Sequence, residues 1–200
     1  GPVMATTLGI LLAGGQGTRL GLGMPKALVR LGGLTLLERS RAVLGEACDE
    51  VVVVAPAAIA LPVPGAERVA DPEGGGPLGG LVAGLGSRPF RRALVLGVDF
   101  PLMRAGLLAA LADLLGGHGA VLPLADGMPQ PLAAAYAPRA AGRLAACFAA
   151  GERAVLPAVA QLGPLLVRDE VLARLDGGLD CFLNVNEPAD LARAEERLRG

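Results

Sequence analysis

The segment TTLGILLAGGQGTRLG, residues 6–21, places a short apolar run directly before a glycine-rich loop. An apolar run that ends in glycine is typical of a strand buried in a parallel sheet. Glycines after such a strand free backbone N–H groups to face a concavity, where they can bind phosphate. The segment therefore predicts a strand of an α/β fold with a phosphate-binding loop at its carboxyl end.

The glycine spacing does not match the two common phosphate-binding patterns. The P-loop pattern G-x-x-x-x-G-K-[ST] is absent, and Lys26 is followed by alanine. The dinucleotide pattern G-x-G-x-x-G fails because Gly15 and Gly17 are followed by Gly21, one residue too late. No acidic residue ends the second predicted strand, where a ribose would be held. An ordinary kinase and a dehydrogenase are therefore disfavoured.

Strand and helix patterns alternate along most of the chain, which predicts a mainly parallel sheet with helices on both faces. The predicted strands are 6–14, 50–55, 68–71, 92–99, two within 119–137, 164–169 and 181–186. The predicted helices are 35–48, 76–86, 105–117, 138–151, 153–163 and 187–199. No repeat or linker interrupts this pattern, so we expect one domain over residues 1–200, with Gly1 and Pro2 as a tag remnant.

Composition restricts the class of partner. Aromatic residues make up 2% of the chain and the net charge is −1, so neither base stacking nor a basic field supports nucleic-acid binding. The three cysteines are far apart and lack metal-binding spacing, which predicts reduced thiols in a cytoplasmic protein. We expect neither a signal peptide nor a membrane span, because the apolar runs are shorter than the ~18 residues that cross a bilayer.

The basic residues are seventeen arginines and one lysine, Lys26, and the chain has two asparagines, Asn184 and Asn186. The codons for lysine and asparagine are rich in A and T, so a GC-rich genome would deplete both residues. The lysine and asparagines that remain in this chain are therefore candidates for a chemical role. Lys26 would supply a compact charge and Arg19 a planar fork to polyphosphate oxygens. The alternative is that both are solvated surface charges.

Three further polar features fall at predicted strand ends, which meet at one edge of a parallel sheet. Asp99 suits a hard cation such as Mg²⁺, with a helix N-cap as the alternative. Asn184 and Asn186 lie two apart on a predicted strand, so their amides would share a face near the metal, unless they only form a turn. Asp71 precedes a second glycine-rich turn and would hold a sugar hydroxyl or the acceptor, or only form the turn.

The loop LAGGQGTRLG with the following PKAL resembles the signature of nucleotidyltransferases, which join a nucleoside triphosphate to a phosphorylated acceptor. Four later segments resemble the molybdenum cofactor guanylyltransferases of the MobA family: DPEGGGPLGGLVAGL, VLGVDFPLM, AAGERAVLPAVAQLG and FLNVNEPADLARAEE. The resemblance covers about residues 8–195. It implies a Rossmann-like nucleotidyltransferase fold, a three-layer α/β/α sandwich whose mostly parallel sheet carries one or more antiparallel strands.

The resemblance also implies an activity, a cofactor and site residues. The activity is transfer of GMP from GTP to molybdopterin with release of pyrophosphate, and the cofactor is Mg²⁺ held by Asp99. Arg19, Lys26 and Asp99 are the expected catalytic residues, and Asn184 and Asn186 the expected acceptor-binding residues. The expected nucleotide-binding residues are Leu12, Ala13, Gly14, Gly15, Gly17, Lys26, Asp71 and Asp99.

The resemblance also implies partners, and it leaves alternatives open. GTP and molybdopterin are the implied substrates, with a molybdenum-insertion protein or a molybdoenzyme chaperone as candidate protein partners. A sugar-phosphate nucleotidylyltransferase shares the loop. A molybdopterin cytidylyltransferase would share the acceptor, although LAGG in place of AAG favours GTP. A non-catalytic GTP-binding module is the alternative outside enzymes. The base, the acceptor and the oligomeric state stay open at this point.

Overall fold

The computed structural model describes residues 5–14, 20–63 and 65–200. Gly15, Gly17 and Arg19, three of the predicted loop residues, lie outside these ranges. The strands are β1 Ala5–Leu12, β2 Arg30–Leu31, β3 Leu34–Thr35, β4 Glu50–Ala55, β5 Glu67–Ala70, β6 Phe90–Gly97, β7 Ala120–Ala125, β8 Met128–Pro129, β9 Ala133–Tyr136 and β10 Leu165–Val167.

Seven helices are described besides short 3₁₀ turns. They are α1 Leu36–Ala47, α2 Gly76–Leu85, α3 Ala105–Asp113, α4 Arg139–Ala149, α5 Val155–Ala160, α6 Asp169–Leu172 and α7 Pro188–Arg199. Local sequence accounts for the starts of two of them. Thr35 and Glu38 form a reciprocal capping box at α1, and Pro77 lies in the first turn of α2, where its missing N–H has no cost.

The main sheet has the order β10-β7-β9-β6-β1-β4-β5, with the short β8 against β7. Strands β5, β4, β1 and β6 are parallel, and β10 is parallel to β7. Strand β9 runs antiparallel to both β6 and β7. The predicted fold class, a mostly parallel sheet with antiparallel strands, is therefore confirmed.

Helices cover both faces of the sheet, because successive strand side chains point to opposite sides. Val53 of β4 packs in the cluster that contains residues of α1, α3, α6 and α7. Val52 and Val54 pack in the opposite cluster, with residues of α2, α4 and α5. Both clusters consist mainly of fully buried aliphatic residues, as the low aromatic content requires.

Strand β6 ends at Gly97, earlier than the predicted strand 92–99, and Asp99 lies two residues beyond it. The N-cap of the next helix, α3, is Arg104. Asp99 is therefore not a helix cap, and its carboxylate is available for other contacts.

The predicted strand 181–186 is wrong. A 3₁₀ helix spans Gly178–Phe182, and no strand follows it before α7. The buried residues of this stretch are Cys181, Phe182 and Val185, a spacing of three to four rather than the two of a strand. The N–H of Val185 is donated to the carbonyl of Asp99 at 2.8 Å, which ties the segment to the loop after β6.

The hairpin of β2 and β3 was absent from the predicted elements. Its two turn residues, Gly32 and Gly33, have φ of 57° and 87°, as the tightest hairpin turns require. All three cysteines are free thiols in the structure. Within the described ranges, no helix is both long and apolar enough to cross a bilayer.

Candidate active site

A cleft of about 600 Å³ opens at the carboxyl edge of the four parallel strands. Parallel α/β sheets bind ligands at this edge, where the loops after the strands converge. The residues that follow β1, β4, β5 and β6 all contribute to its lining, together with the start of α2. The lining residues are Leu12, Gly14, Lys26, Pro56, Ala57, Ala58, Asp71, Pro72, Glu73, Gly74, Gly76, Pro77, Gly80, Gly97, Val98, Asp99 and Leu132.

Lys26 connects one side of the cleft to the distant loop before α7. Its Nζ lies 3.1 Å from Oδ1 of Asp99 and donates to Oδ1 of Asn186 at 3.0 Å. The residue is only 8% exposed, and buried lysines are rarely found without such partners. The ammonium is therefore fixed by two oxygen acceptors in the lining of the cleft.

The two asparagines contact each other although no strand carries them. The side-chain amide of Asn186 donates from Nδ2 to Oδ1 of Asn184 at 2.9 Å. Asp190 holds the backbone of this turn, because its Oδ2 accepts from the N–H of Asn186 at 3.1 Å and of Glu187 at 3.0 Å. The hydrogen bond from the backbone of Asn186 is the main cause that lowers the pKa of Asp190. Its carboxylate therefore stays ionised at neutral pH and keeps the turn fixed.

Asp71 occupies the other side of the cleft, directly after β5. Its Oδ1 is buried and has no hydrogen-bond partner among the described residues. Glycines allow its close packing: a Cβ at Gly14 would lie 3.0 Å from Oδ2 of Asp71, and one at Gly80 would lie 3.3 Å from it. Burial raises the pKa of the Asp71 carboxyl group. A carboxylate left with an unused acceptor in a cleft is suited to receive hydrogen bonds from a ligand.

Asp71→Asn is expected to stabilise the fold at neutral pH. Because the folded-state pKa is raised, the stability that this group contributes is present below its unfolded pKa and lost as pH rises through the folded pKa. The amide removes that loss, so Tm should rise by roughly 1–2 °C at pH 7, a small effect because the side chain is partly solvated.

Thermal unfolding of both proteins across pH checks this expectation. The gain should disappear below about pH 4, where the wild-type carboxyl group is protonated in both states. Asp180→Asn is the matched control, because Asp180 is exposed and pairs with Arg197. A lower Tm for Asp71→Asn at pH 7 would contradict the assignment of Asp71 as an unpartnered carboxylate.

The structure brings together most of the predicted residues that it describes. Leu12, Gly14, Lys26, Asp71 and Asp99 line the cleft. Asn184 and Asn186 join it through Lys26. Ala13 is fully buried and donates its N–H to the carbonyl of Val54 rather than lining the cleft.

Sequence reasoning missed the turn after β4. Pro56, Ala57 and Ala58 form a wall of the cleft, yet they carry no polar side-chain atom to draw attention. Their position at the carboxyl end of a predicted parallel strand was the available signal. Asp190, which fixes the asparagine turn, was also missed. A carboxylate three residues after Glu187 at a predicted helix start could have indicated it.

The donor set fits a metal ion that arrives with a phosphorylated substrate. Asp99 places a carboxylate in the cleft, and its side chain is 32% exposed. In the ranges that the structure describes, no group of three or more His, Cys, Asp or Glu residues could hold a metal alone. Mg²⁺ commonly binds through one or two carboxylates and completes its shell with phosphate oxygens and water. This set therefore fits such an ion better than a closed protein site.

The ion pair of Lys26 and Asp99 and the glycine-rich turn after β5 lie at the carboxyl edge of this sheet, an arrangement that suits a nucleotidyltransferase. The profile of the MobA-like NTP transferase domain matches residues 9–164. The chain belongs to this family.

Relatives and solved structures agree with that membership. A probable molybdenum cofactor guanylyltransferase of Chloroflexus aggregans is 39% identical over 95% of this chain and 94% of its own length. The crystal structure of molybdopterin-guanine dinucleotide biosynthesis protein A from Archaeoglobus fulgidus is 29% identical with a TM-score of 0.79, covering 96% of this chain and 98% of that one. A 2-C-methyl-D-erythritol 4-phosphate cytidylyltransferase from Thermus thermophilus, 22% identical, shares the fold with a TM-score of 0.74 over 99% of this chain and 100% of its own.

Proposed function

We propose that the chain transfers GMP from GTP to molybdopterin, forming molybdopterin guanine dinucleotide and releasing pyrophosphate. The observation that carries the proposal is the cluster of Lys26, Asp99 and Asn186 at the edge of the cleft. The names of the Chloroflexus and Archaeoglobus relatives support guanylyl transfer over the cytidylyl and sugar-phosphate alternatives.

The reaction needs alignment and charge neutralisation more than proton transfer. An oxygen of the terminal phosphate of molybdopterin forms a bond to the α-phosphorus of GTP. The bond from that phosphorus to the β-phosphate oxygen breaks, and pyrophosphate leaves with the electron pair. No general base is required, because a phosphate monoester is already ionised at pH 7.

We propose that Lys26 stabilises negative charge on the phosphates. Its ammonium is held at the cleft by Asp99 and Asn186, so little reorganisation is needed when the reaction begins. The turn of Asn184 and Asn186 lies next to it and would contact the acceptor. Arg19, although outside the described ranges, is proposed to contact the same phosphates.

The charge of the cleft explains why a divalent cation is needed. Its described lining includes Asp71, Glu73 and Asp99 but only one cation, Lys26. A triphosphate and a phosphorylated acceptor would add further negative charge. Enzymes of this family generally use a divalent metal ion, and we propose Mg²⁺ held by Asp99. When bound, it neutralises phosphate charge and polarises the phosphorus–oxygen bonds.

Binding of Mg²⁺–GTP is expected to raise Tm. A ligand at about 100 times its Kd stabilises the folded state by about 2.7 kcal/mol, which corresponds to roughly 5–10 °C in Tm for a chain of this size. Thermal unfolding with GTP, CTP, ATP, UTP or dTTP, each with Mg²⁺ or with EDTA, measures this. We expect GTP with Mg²⁺ to give the largest shift. A selective shift with CTP or dTTP would refute the guanylyl assignment.

Turnover requires a separate experiment. The protein is incubated with Mg²⁺, molybdopterin and GTP labelled at the α-phosphorus. The label enters the dinucleotide, and the unlabelled pyrophosphate is measured separately. Equal amounts of the two products support the proposal. Product formation with a sugar phosphate instead of molybdopterin would indicate a sugar-phosphate nucleotidylyltransferase. Binding of GTP without either product would indicate a non-catalytic module.

A further inference from the structure

The wall of the cleft after β4 has no polar side chain of its own that could hold it in place. Its residues Pro56, Ala57 and Ala58 have no polar side-chain atoms, and Ile59 completes the turn. The N–H of Ile59 donates to the carbonyl of Pro56 at 3.0 Å, which closes a single β-turn. Such a turn needs support from elsewhere to remain in one position.

Arg68 on the edge strand β5 supplies that support. Its guanidinium donates to the carbonyl oxygen of Pro56 at 2.5 Å and also to that of Ile59. One planar, permanently charged group is thus hydrogen-bonded to both ends of the turn. Hydrogen bonds from a charged donor are stronger than neutral ones, so Arg68 holds the turn in one position.

The turn packs directly against the residues that shape the cleft. A Cβ at Gly14 would lie 3.2 Å from Cδ of Pro56 and 3.0 Å from Oδ2 of Asp71. Gly14 is therefore enclosed between the turn and the Asp71 carboxylate. A displacement of the turn would change the width of the cleft between these two groups.

The chemistry of this wall suits a nucleobase rather than phosphate. Proline and alanine side chains offer an apolar surface to a flat ring, and the unpartnered Oδ1 of Asp71 offers an acceptor to N–H groups at its edge. Phosphate charge is instead matched by Lys26, whose contacts are with Asp99 and Asn186.

We propose that Arg68 is a positioning residue that sets the base-binding wall of the cleft and thereby the affinity and selectivity for the nucleobase. The inference rests on the proposed function, because it takes a nucleoside triphosphate as the ligand. Arg68 acts through the backbone of Pro56 and Ile59. It does not touch the reacting phosphates, so its removal changes KM for the nucleotide and leaves kcat nearly unchanged.

The test compares Arg68→Met with Arg139→Met. Arg139 also donates to two backbone carbonyls, those of Gly117 and Leu162, at 3.0 and 3.2 Å. These carbonyls precede β7 and β10, at the sheet edge opposite the cleft. Both variants therefore lose hydrogen bonds from an arginine to two backbone carbonyls, but only Arg68→Met loses them at the cleft.

For Arg68→Met we expect Kd and KM for GTP to rise on the order of tenfold, because the displaced wall would cost GTP about one favourable contact. We expect kcat to stay within about twofold of the wild-type value. The ratio of CTP to GTP affinity should move towards one. Arg139→Met should bind GTP as the wild type does, whatever its Tm. Equal Kd values for the two variants, or a loss confined to kcat, would overturn the proposal.

A second variant keeps the proposal testable if Arg68→Met does not fold. Arg68→Gln keeps a polar side chain but can form only part of the hydrogen bonding to Pro56 and Ile59, so Kd for GTP should rise severalfold. An unchanged Kd would overturn the proposal. Titration calorimetry with Mg²⁺–GTP requires no acceptor. The positioning role can therefore fail while the wild type still transfers GMP. If the wild type binds GTP without turnover, the proposed function fails and the calorimetric comparison still decides the role of Arg68.

Discussion

Asp99→Asn is expected to lower the rate of nucleotidyl transfer on the order of 10³-fold, the upper range for removal of one preorganised stabilising group. The substitution preserves the shape of the side chain but removes its charge. It therefore eliminates both the proposed metal ligand and the ion pair to Lys26, whose Nζ lies 3.1 Å from Oδ1 of Asp99. The rate is measured as pyrophosphate release at saturating GTP, molybdopterin and Mg²⁺.

A metal-binding measurement separates the two contributions of Asp99. Electron paramagnetic resonance measures the binding of Mn²⁺ to the protein in the presence of GTP, independently of turnover. Asp99→Asn should weaken this binding. Asp113→Asn is the control, because the Asp113 side chain is 74% exposed and pairs with Arg92 away from the cleft. Full activity of Asp99→Asn would remove Asp99 from the metal site.

Most of the fold could be predicted from the sequence because its main signals are local. Apolar runs such as 50–55 give buried strands, and periodic segments such as 35–48 give helices. The stretch 181–186 was misassigned because its three buried apolar residues pack by tertiary contact: Val185 bonds to the loop of Asp99. No local pattern reports a hydrogen bond between residues so distant in sequence.

Residue type carries the clearest signals for the site. The rarity of lysine and asparagine selected Lys26 and Asn186, which the fold brings to 3.0 Å across 160 residues of sequence. Arg68 had no such signal, since arginine is the common cation of this chain and its role depends on backbone carbonyls. Proline and alanine of the cleft wall gave no polar signal either. Positions that act through the backbone remain hidden until the structure shows them.

Lys26→Met is expected to lower the transfer rate on the order of 10²-fold with a smaller change in KM for GTP. Methionine retains the buried volume but removes the ammonium that Asp99 and Asn186 hold in place. Lys26→Arg should restore little activity, because a planar fork does not fit a position built around a point charge. Arg88→Met is the control for loss of a cation, since Arg88 pairs with Glu50 and Glu67 away from the cleft.

The composition of the chain allows a direct test of where Lys26 acts. It is the only lysine, so an amine-directed reagent can modify just one ε-amino group, and mass spectrometry identifies it without ambiguity. Mg²⁺–GTP should protect Lys26 from the reagent if the ammonium contacts the phosphates, and guanosine alone should not. Equal protection by guanosine would mean that the nucleoside merely covers the residue. Modification at an unchanged rate with GTP, together with full activity of Lys26→Met, would reduce Lys26 to a structural partner of Asp99.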